Sequence, residues 1–316
     1  MDTENPYTVN IVDVIRRARA AGCRKPYAAI PTYEYDRKLS MRKELEDLRT
    51  VILSPGRQAY SILKKLGDFF RYQPERHTLE VSVLTSAPAA EKRTLSEADS
   101  KDILRDAGVP VPPQERVAAR EEVAAAAQRI GFPLVMKVDS AAIAHKTEAG
   151  GVVLNIRDDD AALAAYDRII ASCRAYAPEA DISGVLVQKM AEKGAEIILG
   201  VTRDPQLGPM LVAGMGGILT ELYKDVAISP CPINLQEAQE MLQSLRSYPL
   251  LTGYRGGVPR DIKALADLMV TISRYASANR EMLCELDINP VFVHEDGNGV
   301  QAVDAVMVVQ SSQISP

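Results

Sequence analysis

Phe132-Pro133-Leu134-Val135-Met136-Lys137-Val138-Asp139-Ser140 continues, through a short polar loop, into Ala144-His145-Lys146-Thr147-Glu148-Ala149-Gly150-Gly151-Val152-Val153. The first segment is an apolar run of strand length with a lysine near its end, bounded by turn residues, and reads as a buried strand. The Gly pair permits positive φ and lets the backbone approach a ligand closely. A second strand starts at Val152. A lysine projecting from a strand beside a glycine-bearing loop is one way to hold a nucleotide phosphate. The histidine in that loop is the more unusual residue.

Working outward, an Ala-rich helix over Arg120 to Ile130 delivers the lysine strand, and Val152 to Ile156 follows the glycines. Asp158 to Tyr176 then has helical character. Gly184 to Met190 reads as a strand, followed after a short hinge by Gly194 to Gly200. Asp204-Pro205-Gln206-Leu207-Gly208-Pro209 is a turn between strands. Beyond it, Ala213-Gly214-Met215-Gly216-Gly217-Ile218 precedes Glu221 and Asp225. Three glycines so close together leave backbone N–H groups able to form an anion-binding nest.

Near the C-terminus, Cys284-Glu285-Leu286-Asp287-Ile288-Asn289-Pro290 alternates apolar and polar residues. Glu285, Asp287 and Asn289 therefore share one strand face. The turn Glu295-Asp296-Gly297-Asn298-Gly299 returns the chain as Val300 to Val309, a hairpin. Pairing around that turn sets Asp304 opposite Asn289 or a neighbour. Asp287, Asn289 and Asp304 then form a set of hard oxygen ligands suited to Mg²⁺.

Upstream, Leu95-Ser96-Glu97-Ala98-Asp99 opens a helix with a capping-box-like start, which ends at Gly108. Lys101 on this helix is expected at its surface. Residues 73 to 94 read as a linker with one extended piece at Leu79 to Leu84. Before it, the N-terminal 75 residues alternate helix (Val9 to Ala21), strand (Lys25 to Pro31), helix (Leu39 to Leu48), strand (Val51 to Leu53) and helix (Gly56 to Tyr72). Ser54-Pro55 suits the cap of the last helix. That alternation is the mark of a parallel α/β layer.

Composition narrows the function classes. A net charge of −5 with 25% charged residues argues against a nucleic-acid partner, which demands a basic face. No stretch reaches membrane-spanning length. The four cysteines are far apart without metal-type spacing, as in a reduced cytoplasmic protein. His77 lies past the last N-terminal helix, without flanking glycines, and reads as a linker residue.

Ser140, Ile143, His145, Lys146, Gly150, Gly151 and Val152 keep the pattern Ser-x-x-Ile-x-His-Lys-x-x-x-Gly-Gly-Val. With Lys137 before it, the passage resembles the ATP-grasp domain of the ADP-forming acyl-CoA synthetases, relatives of succinyl-CoA synthetase. The resemblance covers roughly residues 95 to 310. It implies an α/β chain, specifically an α+β ATP-grasp fold of two subdomains over 95 to 316. Residues 1 to 75 resemble the C-terminal remnant of a CoA-ligase-like, flavodoxin-like domain, and 76 to 94 a linker. The site it implies has His145 accepting a phosphoryl group, with Glu221 and Arg255 assisting. Lys137 orients nucleotide phosphates; Gln188, Lys189 and Met190 meet the adenine edge through backbone groups. Glu196 lies near the ribose or phosphates, and Gly216 and Gly217 face the transferred group. Asp287, Asn289 and Asp304 hold Mg²⁺. One departure is Ile228-Ser229, where many relatives carry an arginine.

The reaction so implied is acid, CoA and ATP to acyl-CoA, ADP and phosphate, through phosphohistidine. The N-terminal segment lacks both a Gly-x-Gly-x-x-Gly turn for CoA and a Gly-His-Ser-type loop. CoA, the small carboxylic acid and the first phosphohistidine are therefore expected on a partner, alpha-type subunit. A carboxylate-amine ligase without phosphohistidine, or a non-catalytic nucleotide- or acyl-CoA-sensing subunit, are the alternatives.

Overall fold

The computed structural model describes residues 6–25, 27–30, 42–53, 57–71, 91–143, 145–217 and 225–310. The chain divides into two compact units, Met1–Arg76 and His77–Pro316. Ser54-Pro55, His77, the Leu79 to Leu84 segment and Glu221 lie outside the described residues.

In the first unit, α1 (Pro6–Ala20) is followed by β1 (Tyr27–Ala29), α2 (Arg42–Asp47), β2 (Thr50–Ile52) and α3 (Arg57–Arg71). β1 and β2 pair in parallel, with Tyr27 opposite Thr50. Val12, Ile15 and Leu45 form a small core against Tyr27, Ala29, Leu48 and Ile52. The expected apolar residues of α3, Ile62, Leu63 and Leu66, are exposed.

The second unit has two sheets. The smaller contains β4 (Gln114–Val117), β7 (Gly184–Lys189), β5 (Leu134–Asp139) and β6 (Val152–Ile156), antiparallel in that spatial order. β5 is buried along its whole length, as an apolar central strand must be. α5 (Val123–Ile130) and α6 (Asp159–Tyr176) cover one face, where Ala126, Ala127, Ala165, Ile169 and Cys173 join Leu134, Met136 and Val138 in one core. Asp158 caps α6 by accepting from Ala161 N, the preferred chemistry at a helix start.

The larger sheet runs β10 (Val226–Pro230), β9 (Gly208–Met215), β8 (Ala195–Asp204), β11 (Leu283–Val293), β13 (Ala305–Gln310), β3 (Lys92–Thr94), with β12 (Val300–Ala302) also on β11. Its back is packed by the helices Leu235–Ser244 and Ile262–Ala278, in a core containing Leu242, Leu265, Met269, Ile197, Leu199, Leu286 and Ile288. Along β11 the burial alternates, leaving Glu285, Asp287 and Asn289 on the opposite face. The expected return strand is in fact two, β12 and β13, interrupted at Val303-Asp304.

α4 (Glu97–Asp106) joins the two sheets. Leu95 N donates to Met307 O (2.9 Å) and Met307 N to Ser100 Oγ (3.1 Å), fastening its start to β13. From its other side Lys101 reaches Gln188 on β7. Ile169 is fully buried where α6 covers the smaller sheet. Ile169→Ala is expected to cost about 2–5 kcal/mol, read as a lower urea midpoint; an unchanged midpoint would contradict this packing.

Candidate functional site

β5 ends beside the loop that carries His145. Ser140 is buried; its Oγ donates to Asp181 O (2.5 Å) and accepts from Ala142 N (3.2 Å), turning the chain out of the strand. Ile143 and Ala149 are buried on either side of the histidine. Ala149 N, Gly150 N and Gly151 N donate to the carbonyls of His145, Thr147 and Lys146. Gly150 has φ +66°, a region that favours glycine. A Cβ at Gly151 would come within 2.7 Å of Val138 Cγ1, so the second glycine is needed for close packing. His145 itself is exposed.

Beneath the loop lies a cluster around one carboxylate. Glu97 Oε1 accepts from Lys101 Nζ (2.7 Å) and Lys137 Nζ (2.6 Å), and Oε2 from Lys146 Nζ (2.6 Å). The side chains of Glu97, Lys101, Lys137 and Lys146 are only 1, 0, 8 and 11% exposed. Burial alone would raise the pKa of Glu97, but the three ammonium groups outweigh it and hold the carboxyl well below its usual range. For Lys101 burial wins: with the charge of Lys137 nearby, its pKa is pushed down to about 8. Lys146 moves the other way, because Asp304 and Glu97 overcome its desolvation. Asp304 Oδ2 lies 3.4 Å from Lys137 Nζ, and Oδ1 3.8 Å from Lys146 Nζ. Three cations thus face two carboxylates.

His145, Lys146, Thr147, Glu148 and Val152 line one side of a cleft of about 320 Å³; Asp287, Asn289, Asp304, Ala305 and Val306 line the other. Asn289 N donates to Asp304 O (3.1 Å), which settles the register between the two strands. Asp287 lies opposite Val306. Its carboxyl is raised above the ordinary range by the surrounding protein and by the negative charges of Asp304 and Glu285.

Other expected site residues stand differently. Lys101 is fully buried rather than on a helix surface. The N–H groups of Lys189 and Met190, expected at an adenine edge, are donated to Pro113 O and Pro133 O, because β7 is an inner strand and its end is paired. Lys189 Nζ is bound to Gly131 O and Phe132 O. Gly214 is inside β9, and Gly216 N donates to Glu196 O (2.6 Å), so two of the three expected nest amides are committed. Gly217 keeps φ +67° and faces Glu196, whose Oε2 would be 3.3 Å from an added Cβ. Glu196 is exposed on β8, opposite Phe292. Asp225 anchors the backbone: it accepts from Arg246 N, Ser247 N and Ser247 Oγ. Arg255 is exposed, at φ +53° and over the Tyr254 ring, and does not line the His145 cleft. Glu221 lies outside the described residues.

A sequence profile of the ATP-grasp domain matches residues 86–309. The beta subunit of acetate–CoA ligase (ADP-forming) I from Pyrococcus furiosus is 42% identical over 70% of this chain and 94% of its own length. The chain belongs to the ATP-grasp domain family of the ADP-forming acyl-CoA synthetases. Trans-feruloyl-CoA synthase FCS1, from an unknown prokaryote, is 38% identical over 80% of this chain, which spans 36% of that protein. A solved acetyl-coenzyme A synthetase 1 of Candidatus Korarchaeum cryptofilum aligns with TM-score 0.60 and 35% identity, covering 68% of this chain and 92% of that one. It is described in complex with coenzyme A and Mg-AMPPCP, its phosphohistidine segment pointing towards the nucleotide binding site.

The residues of this ATP-grasp domain fit a magnesium nucleotide. Lys146 lines the cleft, Lys137 Nζ lies 3.4 Å from Asp304 in its wall, and Gln188 Nε2 is a fully buried donor without a partner. Among the described residues no three His, Cys, Asp or Glu side chains are grouped to hold a metal ion. Two carboxylates and an amide are what Mg²⁺ takes when water and phosphate oxygens complete its shell. The residue that motif reading missed is Glu97. Its signal was its spacing of four from Lys101, which on a helix brings the two side chains together. Glu97→Gln would leave buried ammonium groups uncompensated, at a cost of about 3–5 kcal/mol. A calorimetric midpoint lower by about 10 °C is expected; an unaltered midpoint would show the cluster to be energetically idle.

Proposed function

We propose that this chain supplies the nucleotide-binding, phosphoryl-accepting part of an ADP-forming acyl-CoA synthetase. The observation that carries the reading is the cleft in which exposed His145 shares walls with Lys146, Asp287, Asn289 and Asp304. A histidine locked into an apolar interior would have been incompatible with it.

In this reading Lys137 orients the phosphates of ATP at the cleft. A nitrogen of neutral His145 attacks the γ-phosphorus; the N–P bond forms as the bond to the bridging oxygen breaks, and ADP leaves. Imidazole is nucleophilic near neutral pH without a separate base. Asp287, Asn289 and Asp304 hold Mg²⁺, which when bound offsets negative charge on the phosphates. The phosphoryl group then passes to a partner's chemistry and returns by the same route in reverse. Gln188 Nε2 is a donor for the nucleotide, Glu196 lies near its ribose or phosphates, and Arg255, Glu221, Gly216 and Gly217 serve the transferred phosphoryl group.

The partner is an alpha-type, CoA-binding polypeptide or domain that takes the carboxylic acid. Two relatives support that division: the Pyrococcus protein named as a beta subunit, and the far longer feruloyl-CoA synthase. Alignment with the latter is longer than everything from residue 86 onward, so it reaches into the segment before it. We read residues 1–75 as part of a CoA-ligase-like layer.

Incubation with γ-labelled ATP and Mg²⁺ is expected to place acid-labile, base-stable label on His145. His145→Ala should abolish label and turnover, and Asp304→Asn should raise the Mg²⁺ concentration required. Label absent even with the partner present, or turnover retained by His145→Ala, would overturn the proposal in favour of a sensing subunit or a direct ligase.

A further inference from the structure

Of the four loop residues His145, Lys146, Thr147 and Glu148, only Lys146 is not exposed. Its ammonium group reaches inward to Glu97 Oε2 at 2.6 Å, whereas its neighbour His145 is exposed. Glu97 divides its contacts: Oε1 serves Lys101 of its own helix and Lys137 of β5, and Oε2 serves Lys146 of the loop. One buried carboxylate therefore connects β5, through Lys137, with the loop that carries the histidine.

We propose that Glu97 is a positioning residue for the phosphoryl-transfer step, registering the His145 loop against Lys137 by holding Lys146. The inference rests on the reading of His145 as the phosphoryl acceptor. Consecutive Cα atoms are about 3.8 Å apart, so fixing Lys146 restricts where the adjacent imidazole can sit. A reacting group displaced by about 1 Å can lose about a hundredfold in rate. A solvent-exposed ion pair could not impose such a restriction, being worth little against side-chain entropy. This pair is buried, and the loop is closed on itself by the amides of Ala149, Gly150 and Gly151, which donate to the carbonyls of His145, Thr147 and Lys146.

The test uses the full chain with Lys146→Met, which keeps the aliphatic stem and removes the charge. Glu97→Asp is the second variant: it retains a negative charge for Lys101 and Lys137 but shortens the reach to the loop. In nucleotide-free protein, hydrogen exchange at Ala149, Gly150 and Gly151 should be about tenfold or more faster in both variants, while β5 and α4 amides stay unchanged. With saturating nucleotide, label should reach His145 at least tenfold more slowly in Lys146→Met. The Kd for a non-hydrolysable ATP analogue should change less than threefold. Wild-type exchange in the loop of both variants would overturn the proposal, as would a loss confined to Kd, which would make Lys146 a phosphate ligand alone. Faster exchange in the variants with no label on wild-type His145 would instead refute the phosphohistidine reading and leave the loop tie standing.

Discussion

The structure of the second unit turns on one carboxylate placed where two sheets and a loop meet. Glu97 begins α4, the helix fastened to β13 by Ser100 and Leu95. Around its two oxygens come a lysine from the same helix, one from the central strand of the smaller sheet and one from the histidine loop. Buried ammonium groups are costly unless paired. The three lysines therefore fix how α4, β5 and the loop sit with respect to one another. Asp304, at the break between β12 and β13, approaches the same lysines from the larger sheet.

This arrangement leaves the cluster with more positive than negative charge on the cleft side. The opposite wall has the reverse imbalance: it carries Asp287 and Asp304, and burial together with the negative charges of Asp304 and Glu285 raises the Asp287 carboxyl above its ordinary range. A polyphosphate bound with a divalent cation answers both, and neither alone would. Burial sharpens the effect, because charges in a low-dielectric setting interact more strongly than at a surface. His145 stands exposed at the edge of that field, on a loop whose flanks, Ile143 and Ala149, are packed into the core of the smaller sheet.

Much of this was legible in the chain itself. The apolar run ending in Lys137, the paired glycines and the alternation from Leu283 to Asn289 are local patterns with periods of their own, and each became the element expected. The register of the metal-end hairpin was legible to about a residue or two, since its turn is short and glycine-rich. What local pattern could not give was where a polar group's hydrogen bond goes. Lys101 occupies a helix position that solvates most lysines, and only the approach of Gln188 and Val303, distant in sequence, buries it. The amides of Lys189 and Met190 resemble a free hinge until Pro113 and Pro133 are seen to take them. Gly216 likewise spends its amide on Glu196, and Asp225 its carboxylate on Ser247. The resemblance to a family named residues that line the cleft but was silent on Glu97, whose role depends on three partners from three separate segments.

The measurement that bears most directly on this account is a crystal structure of the full chain with Mg²⁺ and a non-hydrolysable ATP analogue. The γ-phosphate is predicted to lie in the cleft, contacted by Lys137 and within reach of the His145 imidazole, with the metal on Asp304 and Asn289. A nucleotide seated elsewhere, with its terminal phosphate remote from His145 and the three lysines still wholly occupied by Glu97, would contradict it.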